Sequence, residues 1–282
     1  VEAASRSEVI IAVVGGSSAR DFKTSYQETG AAIADEKSIS DMECGEGFDR
    51  ATLTLLGKQQ DLLNALKATG KPLIVVYIEG RPLDKVWASE YADALLTASY
   101  PGQEGGYAIA DVLFGDYNPA GRLPVSVPRS VGQIPVYYNK KAPCNHDYVE
   151  QAASPLYTFG YGLSYTTFEY SDLQVIRKSP CYFEVSFKVK NTGSYDGEEV
   201  AQLYLRDEYA SVVQPLRQLK CFERFFLKRG EEKEIFFTLT EKDLSIIDRN
   251  MARVVETGDF RIMIGASSDD IRLTKDIFVE SQ

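Results

Sequence analysis

The first half of the chain alternates short apolar runs with longer segments of helical periodicity. The apolar runs predict three strands, at Val9–Val14, Leu73–Ile78 and Ala94–Ala98. Leu62, Leu63 and Leu66 recur at helical spacing before Gly70, which predicts an amphipathic helix that ends at this glycine. A second helix is predicted from Gly105 to Leu113. Such alternation is typical of βα units that build a mostly parallel sheet, so we expect an α/β sandwich domain here.

Beyond residue 166 the period of the pattern changes to two. Apolar side chains alternate with polar ones over residues 183–189, 235–239 and 260–264, which predicts strands with one buried face. Turn signals such as Asn191-Thr192-Gly193 separate these runs, and no helical segment is predicted between them. Several short strands joined by turns predict an all-β, immunoglobulin-like sandwich.

The segment from 139 to 165 fits neither pattern. It contains Pro143, Pro155 and several glycines, which disfavour regular structure. It also carries Tyr157, Phe159 and Tyr161, and burial of each ring contributes roughly 1.5–3 kcal/mol. We therefore predict an ordered linker, 139–165, that packs across the seam between a domain at 1–138 and a domain at 166–282.

Composition and charge narrow the classes of partner. The net charge of -10 and the isoelectric point near 4.8 disfavour nucleic acid, because binding to phosphates depends on clustered Lys and Arg. No apolar run approaches the length of about 18 residues that crosses a bilayer, so we expect no membrane partner. The chain begins at Val1 without a Met or a signal peptide, and we expect a piece of a longer protein.

Metal and cofactor chemistry find little support in the sequence. The chain contains one histidine, His146, and four cysteines without C-x-x-C spacing: Cys44, Cys144, Cys181 and Cys221. A structural zinc site needs more clustered ligands than these, so we expect no metal and no cofactor. The cysteines are expected to be free, buried thiols.

The longest predicted loop of the α/β region is the best candidate for a functional site. It runs from Gly15-Gly16 to Thr54, roughly forty residues, and loops of this length are usually functional or disordered. It follows the carboxyl end of the first strand, where parallel sheets place their binding sites. Inside it, Glu46 lies between two glycines that allow a ligand to approach closely. Spacing alone nevertheless favours a solvated surface carboxylate.

Other interpretations of residues in this half are weaker. Gly15-Gly16 is followed by neither of the two glycine patterns that cradle phosphates, which disfavours a nucleotide-binding domain. Cys44 as a nucleophile would need a nearby base, and His146 lies about a hundred residues further along. Trp87 is predicted to belong to the core rather than to a sugar-binding platform.

Several longer motifs occur in order along the chain. Glu46-Gly47-Phe48-Asp49-Arg50 resembles an E-G-x-D-R segment, residues 100–106 a YPGQEGG turn, and residues 111–124 a DVLFGDxNPxGRLP run. Residues 155–166, 191–193 and 198–204 add further matches. Together these motifs resemble the β-glucosidases and β-xylosidases of glycoside hydrolase family 3 over nearly the whole chain.

The resemblance implies a three-part enzyme with a catalytic barrel, an α/β sandwich and a fibronectin type III-like domain. This chain would hold the second and third parts, so the barrel of the same precursor would be its partner and would complete the active site. The implied substrate is a β-linked oligosaccharide or glycoside, and the implied location is the periplasm or the exterior of the cell.

The resemblance also assigns roles to residues. Family 3 enzymes are retaining, with an aspartate nucleophile on the barrel and, in most subgroups, a glutamate acid/base on the α/β sandwich. Glu46 matches that glutamate, and Glu43 is the runner-up because the position varies among subgroups. Phe48, Asp49 and Arg50 would belong to the same substrate loop.

Two functions of different class stay open from the sequence. The first is the C-terminal part of an exo-acting β-glycosidase that removes terminal sugars and is inactive without its barrel. The second is a non-catalytic carbohydrate-binding or scaffold fragment. An upstream reading frame that encodes a barrel with an aspartate nucleophile would favour the first.

Overall fold

The structure is a computed structural model, and it describes residues 1–18, 25–30, 32–33, 44, 49–141 and 146–280. The chain forms two compact units, one of Val1–Leu113 with Val127–Pro135 and one of Phe114–Ser126 with Val136–Gln282. The domain boundaries expected from the sequence, 138 and 165, stay predictions. No helix within the described ranges is both long and apolar enough to cross a membrane.

The first half of the chain contains both helices and strands. The described elements are, in chain order, α1 (Glu2–Ser5), β1 (Ile10–Gly15), β2 (Ser25–Tyr26), β3 (Ala32–Ile33), α2 (Gln59–Lys67), β4 (Leu73–Ile78), α3 (Val86–Tyr91), β5 (Ala94–Thr97), α4 (Gly105–Phe114) and a 3₁₀ turn (Val131–Gln133). The strand predicted at Leu73–Ile78 is confirmed with the same bounds. The first predicted strand is shifted by one residue at both ends, and the third ends one residue earlier than predicted.

A parallel sheet of three strands organises the first unit. Its order is β1-β4-β5, with the apolar β4 in the centre. β1 and β4 pair in register along their full length, which brings Gly15 beside Ile78. The carboxyl ends of these strands therefore meet at one edge of the sheet.

Helix α2 buries a narrower face than the sequence predicts. Leu63 and Leu66 of α2 are buried in the core, whereas Leu62 is largely exposed, so the expected three-leucine face is wrong at one position. The reason is geometric, because residues three apart share a helix face and adjacent residues do not. The short helix α3 was not predicted, and its Trp87 packs against the core as expected.

The second half of the chain is almost entirely β. Its elements are β6 (Phe168–Ser179), β7 (Tyr182–Asn191), β8 (Gly197–Asp207), β9 (Gln218–Leu227), β10 (Glu232–Leu239), α5 (Glu241–Leu244), β11 (Ile246–Ile247), β12 (Arg253–Val254), β13 (Gly258–Gly265) and β14 (Ile271–Val279). A three-stranded sheet, β10-β7-β6, and a four-stranded sheet, β14-β13-β8-β9, contribute side chains to one buried apolar cluster. This arrangement is the predicted sandwich.

One short helix departs from the prediction of an all-β second half. A capping box fixes the start of α5. In it, the Asp243 carboxylate accepts hydrogen bonds from the Thr240 N–H and from the Thr240 hydroxyl. Leu244, at the end of this turn, is buried in the sandwich core. The turn is too short to produce a helical period that sequence analysis could detect.

Aromatic residues of the 136–165 segment pack on the sandwich. Tyr138 stacks on Phe159 with 4.2 Å between ring centroids and meets the ring of Tyr204 edge-on at 6.1 Å. Gln202, which lies near Tyr204 on β8, donates to the carbonyl of Gly160 at 3.3 Å. The segment thus covers the β8 face that points away from the core. The expected packing of the linker across a domain seam stays a prediction.

A buried asparagine ties the strand ends of the sandwich together. Asn191 is fully buried at the end of β7. Its Nδ2 donates to the carbonyls of Tyr195, at 2.8 Å, and Leu227, at 3.1 Å. Its Oδ1 accepts from the Thr166 hydroxyl at 2.7 Å and from the Gly193 N–H at 3.1 Å. All four partners would lose a hydrogen bond together if this amide were removed.

We predict that Asn191→Ala lowers the free energy of unfolding of the second unit by about 3 kcal/mol, because buried polar groups are left without partners. Hydrogen–deuterium exchange of peptides from β7 and β9 measures this locally. The control is Asn250→Ala, at an exposed turn, which should change exchange very little. Equal protection in Asn191→Ala and the wild type would contradict the assigned role.

Candidate functional site

A cavity of about 590 Å³ lies at the carboxyl ends of β1 and β4. Its lining includes Gly15–Ser18 after β1, Ile78 at the end of β4, Gln59 of α2 and Tyr100 beyond β5. Parallel sheets place ligands at this edge because loops from adjacent strands converge there. The cavity lies at the end of β1, from which the long loop singled out in the sequence leaves.

The backbone contact between β1 and β4 at the cavity requires a glycine. Gly15 has a φ of +144°, and a Cβ at this position would lie 1.8 Å from the carbonyl oxygen of Ile78. The next residue, Gly16, donates its N–H to the same oxygen at 3.0 Å. A side chain at position 15 would push the two strand ends apart, so the shape of the cavity depends on this residue.

Gln59 holds the end of β1 in place. From the first turn of α2, its Oε1 accepts the Gly15 N–H at 2.8 Å and its Nε2 donates to the Gly15 carbonyl at 2.9 Å. The same Nε2 also donates to the carbonyl of Leu56 at 3.2 Å. One amide side chain thus satisfies both backbone groups of Gly15 and links the strand to the loop that precedes α2.

Tyr100 closes another side of the cavity. Ser99 adopts a left-handed conformation, with φ of 47°, and turns the chain after β5. The Tyr100 hydroxyl then donates to the Gly16 carbonyl at 3.1 Å and lies 2.6 Å from the Cys44 Sγ. Although 42% of Tyr100 is exposed, partial burial of its hydroxyl, with the Cys44 thiol beside it, raises the pKa of Tyr100 above the usual value.

A buried ion pair shapes the loop that follows β4. The Glu79 carboxylate accepts from Lys85 Nζ at 2.6 and 2.7 Å and from the Leu83 N–H at 2.9 Å. Lys85 Nζ also lies 4.5 Å from the centroid of the Tyr77 ring. Burial lowers the pKa of Lys85, and the Glu79 charge opposes that effect. Removing one partner alone would leave an uncompensated charge in the core.

The residues predicted to act in catalysis fall mainly outside the described part of the chain. Glu46, Glu43 and Phe48 lie outside the described residues. Asp49 is exposed and Arg50 is half-buried, with Nη2 donating to the carbonyl of Thr54 at 2.5 Å. Neither belongs to the lining of the cavity.

Cys44 connects the predicted loop to the cavity. Its N–H donates to the Ser17 carbonyl at 3.3 Å, and its thiol contacts Tyr100. Cys44 and Cys181 are free and buried as expected, whereas the free Cys221 is only half-buried. Cys144 lies outside the described residues.

Sequence analysis missed two residues that shape the cavity. Tyr100 lies within the YPGQEGG motif, but it also follows the third parallel strand, and the rule that sites lie at strand ends marks it when applied to β5. Gln59 carried no such signal, since a glutamine in the first turn of a helix is most often solvated.

The chain belongs to glycosyl hydrolase family 3. Residues 1–165 match the model of the glycosyl hydrolase family 3 C-terminal domain, and residues 199–268 match that of the fibronectin type III-like domain. The first match alone covers more than half of the chain.

Relatives share both parts of this architecture. A periplasmic β-glucosidase of Salmonella typhimurium is 42% identical over 96% of this chain and 34% of its own length. A β-xylosidase of Formosa agariphila is 44% identical over 81% of this chain and 33% of its own length. The structure of a β-glucosidase from Erythrobacter marinus superposes with a TM-score of 0.87 at 36% identity, covering 99% of this chain and 35% of that one. The chain thus spans about a third of the relatives it matches.

We predict that Gly15→Ala destabilises the first unit by about 3 kcal/mol, because a methyl group would combine a strained φ with a clash against the Ile78 carbonyl. The matched control is Gly70→Ala, where φ is +73° but nothing lies within 4 Å of the added carbon, and its cost should be about 1 kcal/mol.

Urea unfolding monitored by tryptophan fluorescence measures both variants, because Trp87 is the single tryptophan and packs on the core of the first unit. Equal losses in Gly15→Ala and Gly70→Ala would contradict a cost that arises from the contact with β4.

Proposed function

We propose that this chain is the C-terminal part of a retaining, exo-acting β-glycosidase of the β-glucosidase or β-xylosidase type. In this proposal the α/β unit contributes the general acid/base Glu46 to an active site that an N-terminal barrel of the same precursor completes. The substrate is a glycoside or oligosaccharide with a terminal β-linked sugar. Family membership and the cavity at the strand ends together carry the proposal.

The position of the anchored residues supports the choice of loop. Cys44 contacts the cavity residues Ser17 and Tyr100, and it precedes Glu46 by two residues. Asp49 and Arg50 follow Glu46, and Arg50 is held to Thr54. Cys44, on the N-terminal side of the proposed carboxylate, thus contacts residues that line the cavity, and Arg50, on its C-terminal side, makes a local hydrogen bond.

The proposed chemistry gives this carboxylate two tasks. In the retaining scheme the acid first protonates the departing glycosidic oxygen while a second carboxylate forms a covalent glycosyl-enzyme. It then removes a proton from the water that hydrolyses this intermediate. The two carboxyl groups must lie about 5–5.5 Å apart, which a glycine-flanked loop reaching toward a neighbouring domain can provide.

The proposed location of the enzyme rests on the names of its relatives. The Salmonella relative is named as a periplasmic enzyme, and the relatives are named for activity on glucosides and xylosides. We extend that location to this chain as periplasmic or secreted. Phe48, Asp49 and Arg50 are proposed to belong to the substrate loop beside Glu46.

The leaving-group dependence of a Glu46→Ala variant of the full-length enzyme tests the proposal. Cleavage of an unactivated β-linked disaccharide should fall by about 10²–10⁴-fold, because its leaving group needs protonation. Formation of the glycosyl-enzyme from a nitrophenyl glycoside should be spared, because a nitrophenolate departs without it. Azide, which needs no base, should restore turnover of the nitrophenyl substrate and give a β-glycosyl azide.

Glu43→Ala is the matched control, since it removes a carboxylate three residues away in the same loop. It should show neither the leaving-group dependence nor the azide effect. Azide rescue of Glu43→Ala instead of Glu46→Ala would transfer the role to Glu43. Rescue of neither would place the acid/base outside this loop, and a full-length protein without glycosidase activity would favour a carbohydrate-binding or scaffold role.

A further inference from the structure

The second unit contains a cavity of about 980 Å³ at one end of the sandwich. It lies between the segment 114–118, the turn 194–197 that leads into β8, and the end of β9. Its volume falls at the upper end of the roughly 300–1,000 Å³ that small-molecule sites occupy. No role follows for this cavity from the proposed chemistry of Glu46.

Aromatic rings dominate the apolar part of the lining. Five aromatic side chains contribute to it: Phe114, Tyr117, Tyr165, Tyr195 and Phe226. Tyr195 is 62% exposed and Phe226 is 53% exposed, so their rings are available to a ligand. The lining residues include two glycines and no residue with an aliphatic side chain. Aromatic rings without aliphatic neighbours present flat faces to a ligand rather than a continuous hydrophobic groove.

The polar part of the lining is acidic and rich in acceptors. Asp116, Asp196 and Glu198 contribute carboxylates. Tyr117 donates its hydroxyl to Glu198 Oε2 at 2.7 Å, and Arg224 also donates to this carboxylate. The hydrogen bond from Arg224 has the larger effect and that from Tyr117 the smaller, and both lower the pKa of Glu198 below its usual value. Glu198 is therefore an ionised hydrogen-bond acceptor at neutral pH. Because Arg224 compensates the charge of Glu198, Asp116 and Asp196 give the lining its net negative charge, which disfavours an anionic ligand.

Hydrogen bonds between protein groups hold the cavity in shape. Asn118 donates from Nδ2 to the Asp196 carbonyl at 2.9 Å and accepts at Oδ1 from the Ser164 hydroxyl at 2.9 Å. A Cβ on Gly197 would lie 2.5 Å from the same Nδ2, so β8 begins in direct contact with this amide. The segment 114–118 is thus fixed to the start of β8, and a site that is formed in advance loses less entropy on binding.

A sugar fits this combination better than a protein partner does. Protein interfaces are enriched in Met and Arg beside their aromatic residues and depleted in Asp, Glu and Ser, whereas this lining has three carboxylates and a serine. A β-linked pyranose chain presents flat faces of C–H bonds, which stack on aromatic rings, and a rim of equatorial hydroxyls, which donate to carboxylates.

We propose that this cavity binds a neutral β-linked oligosaccharide by stacking on Tyr195 and Phe226 and by hydrogen bonds to Asp116 and Glu198. The ligand class follows from the lining of the cavity and from its charge. The proposal therefore does not depend on the role assigned to Glu46, and each can fail without the other.

Isothermal titration of the 282-residue chain with cellohexaose and xylohexaose tests the proposal. Binding of at least one of them is expected, and maltohexaose, whose α-linkages curve the chain away from a flat face, should bind about tenfold more weakly or worse. Tyr195→Ala and Phe226→Ala should each weaken binding about tenfold through loss of a ring contact. Raising the salt concentration should have little effect, because the ligand carries no charge.

Two exposed aromatic residues elsewhere on the same unit provide matched controls. Tyr209 is 81% exposed and Phe236 is 65% exposed, and neither lines the cavity. Tyr209→Ala and Phe236→Ala should bind like the wild type. Absence of binding to both β-linked hexaoses would overturn the proposal, as would equal loss in the control variants. Self-association that Tyr195→Ala and Phe226→Ala abolish, without sugar binding, would overturn it in favour of a second copy of the chain.

Discussion

The backbone contact between Gly15 and Ile78 is the constraint on which the candidate site depends. Because Gly15 lacks a Cβ, two parallel strands can end side by side, and the loops that leave them begin at one cavity. Gln59 then satisfies both backbone groups of Gly15, and Tyr100 reaches the carbonyl of Gly16. The sequence segment that contains the proposed acid/base follows this contact along the chain.

The second unit is stabilised in a different way. Its two sheets share one apolar core. Polar and aromatic groups outside that core fix the strand ends and the outer faces of the sheets. Asn191, at the end of β7, makes four hydrogen bonds, to the end of β9, to the turn before β8 and to Thr166 before β6. Tyr138 and Phe159 cover β8. Asn118 likewise holds the segment 114–118 at the aromatic cavity through hydrogen bonds to Asp196 and Ser164. A buried amide such as that of Asn191 specifies one arrangement of turns because the alternatives leave buried polar groups without partners.

The sequence predicts the elements whose patterns repeat and fails where a single contact decides. Leu73–Ile78 was predicted with its correct bounds because a central parallel strand is apolar on both faces. α3 and α5 were missed because they are too short to show a helical period. Glu46 was singled out by its loop and motif, whereas Gln59 and the Glu79–Lys85 pair act through distances that no local pattern records.

Glu46 is proposed to transfer protons in the glycosidase reaction, and the pH dependence of kcat/KM tests this role most directly. With a phenyl β-glycoside, whose leaving group needs protonation, the full-length enzyme should show a bell-shaped profile with the basic limb set by the acid/base. Glu46→Ala should lose the basic limb and keep the acidic limb, while Glu43→Ala should keep both. A basic limb that persists unchanged in Glu46→Ala would contradict the account.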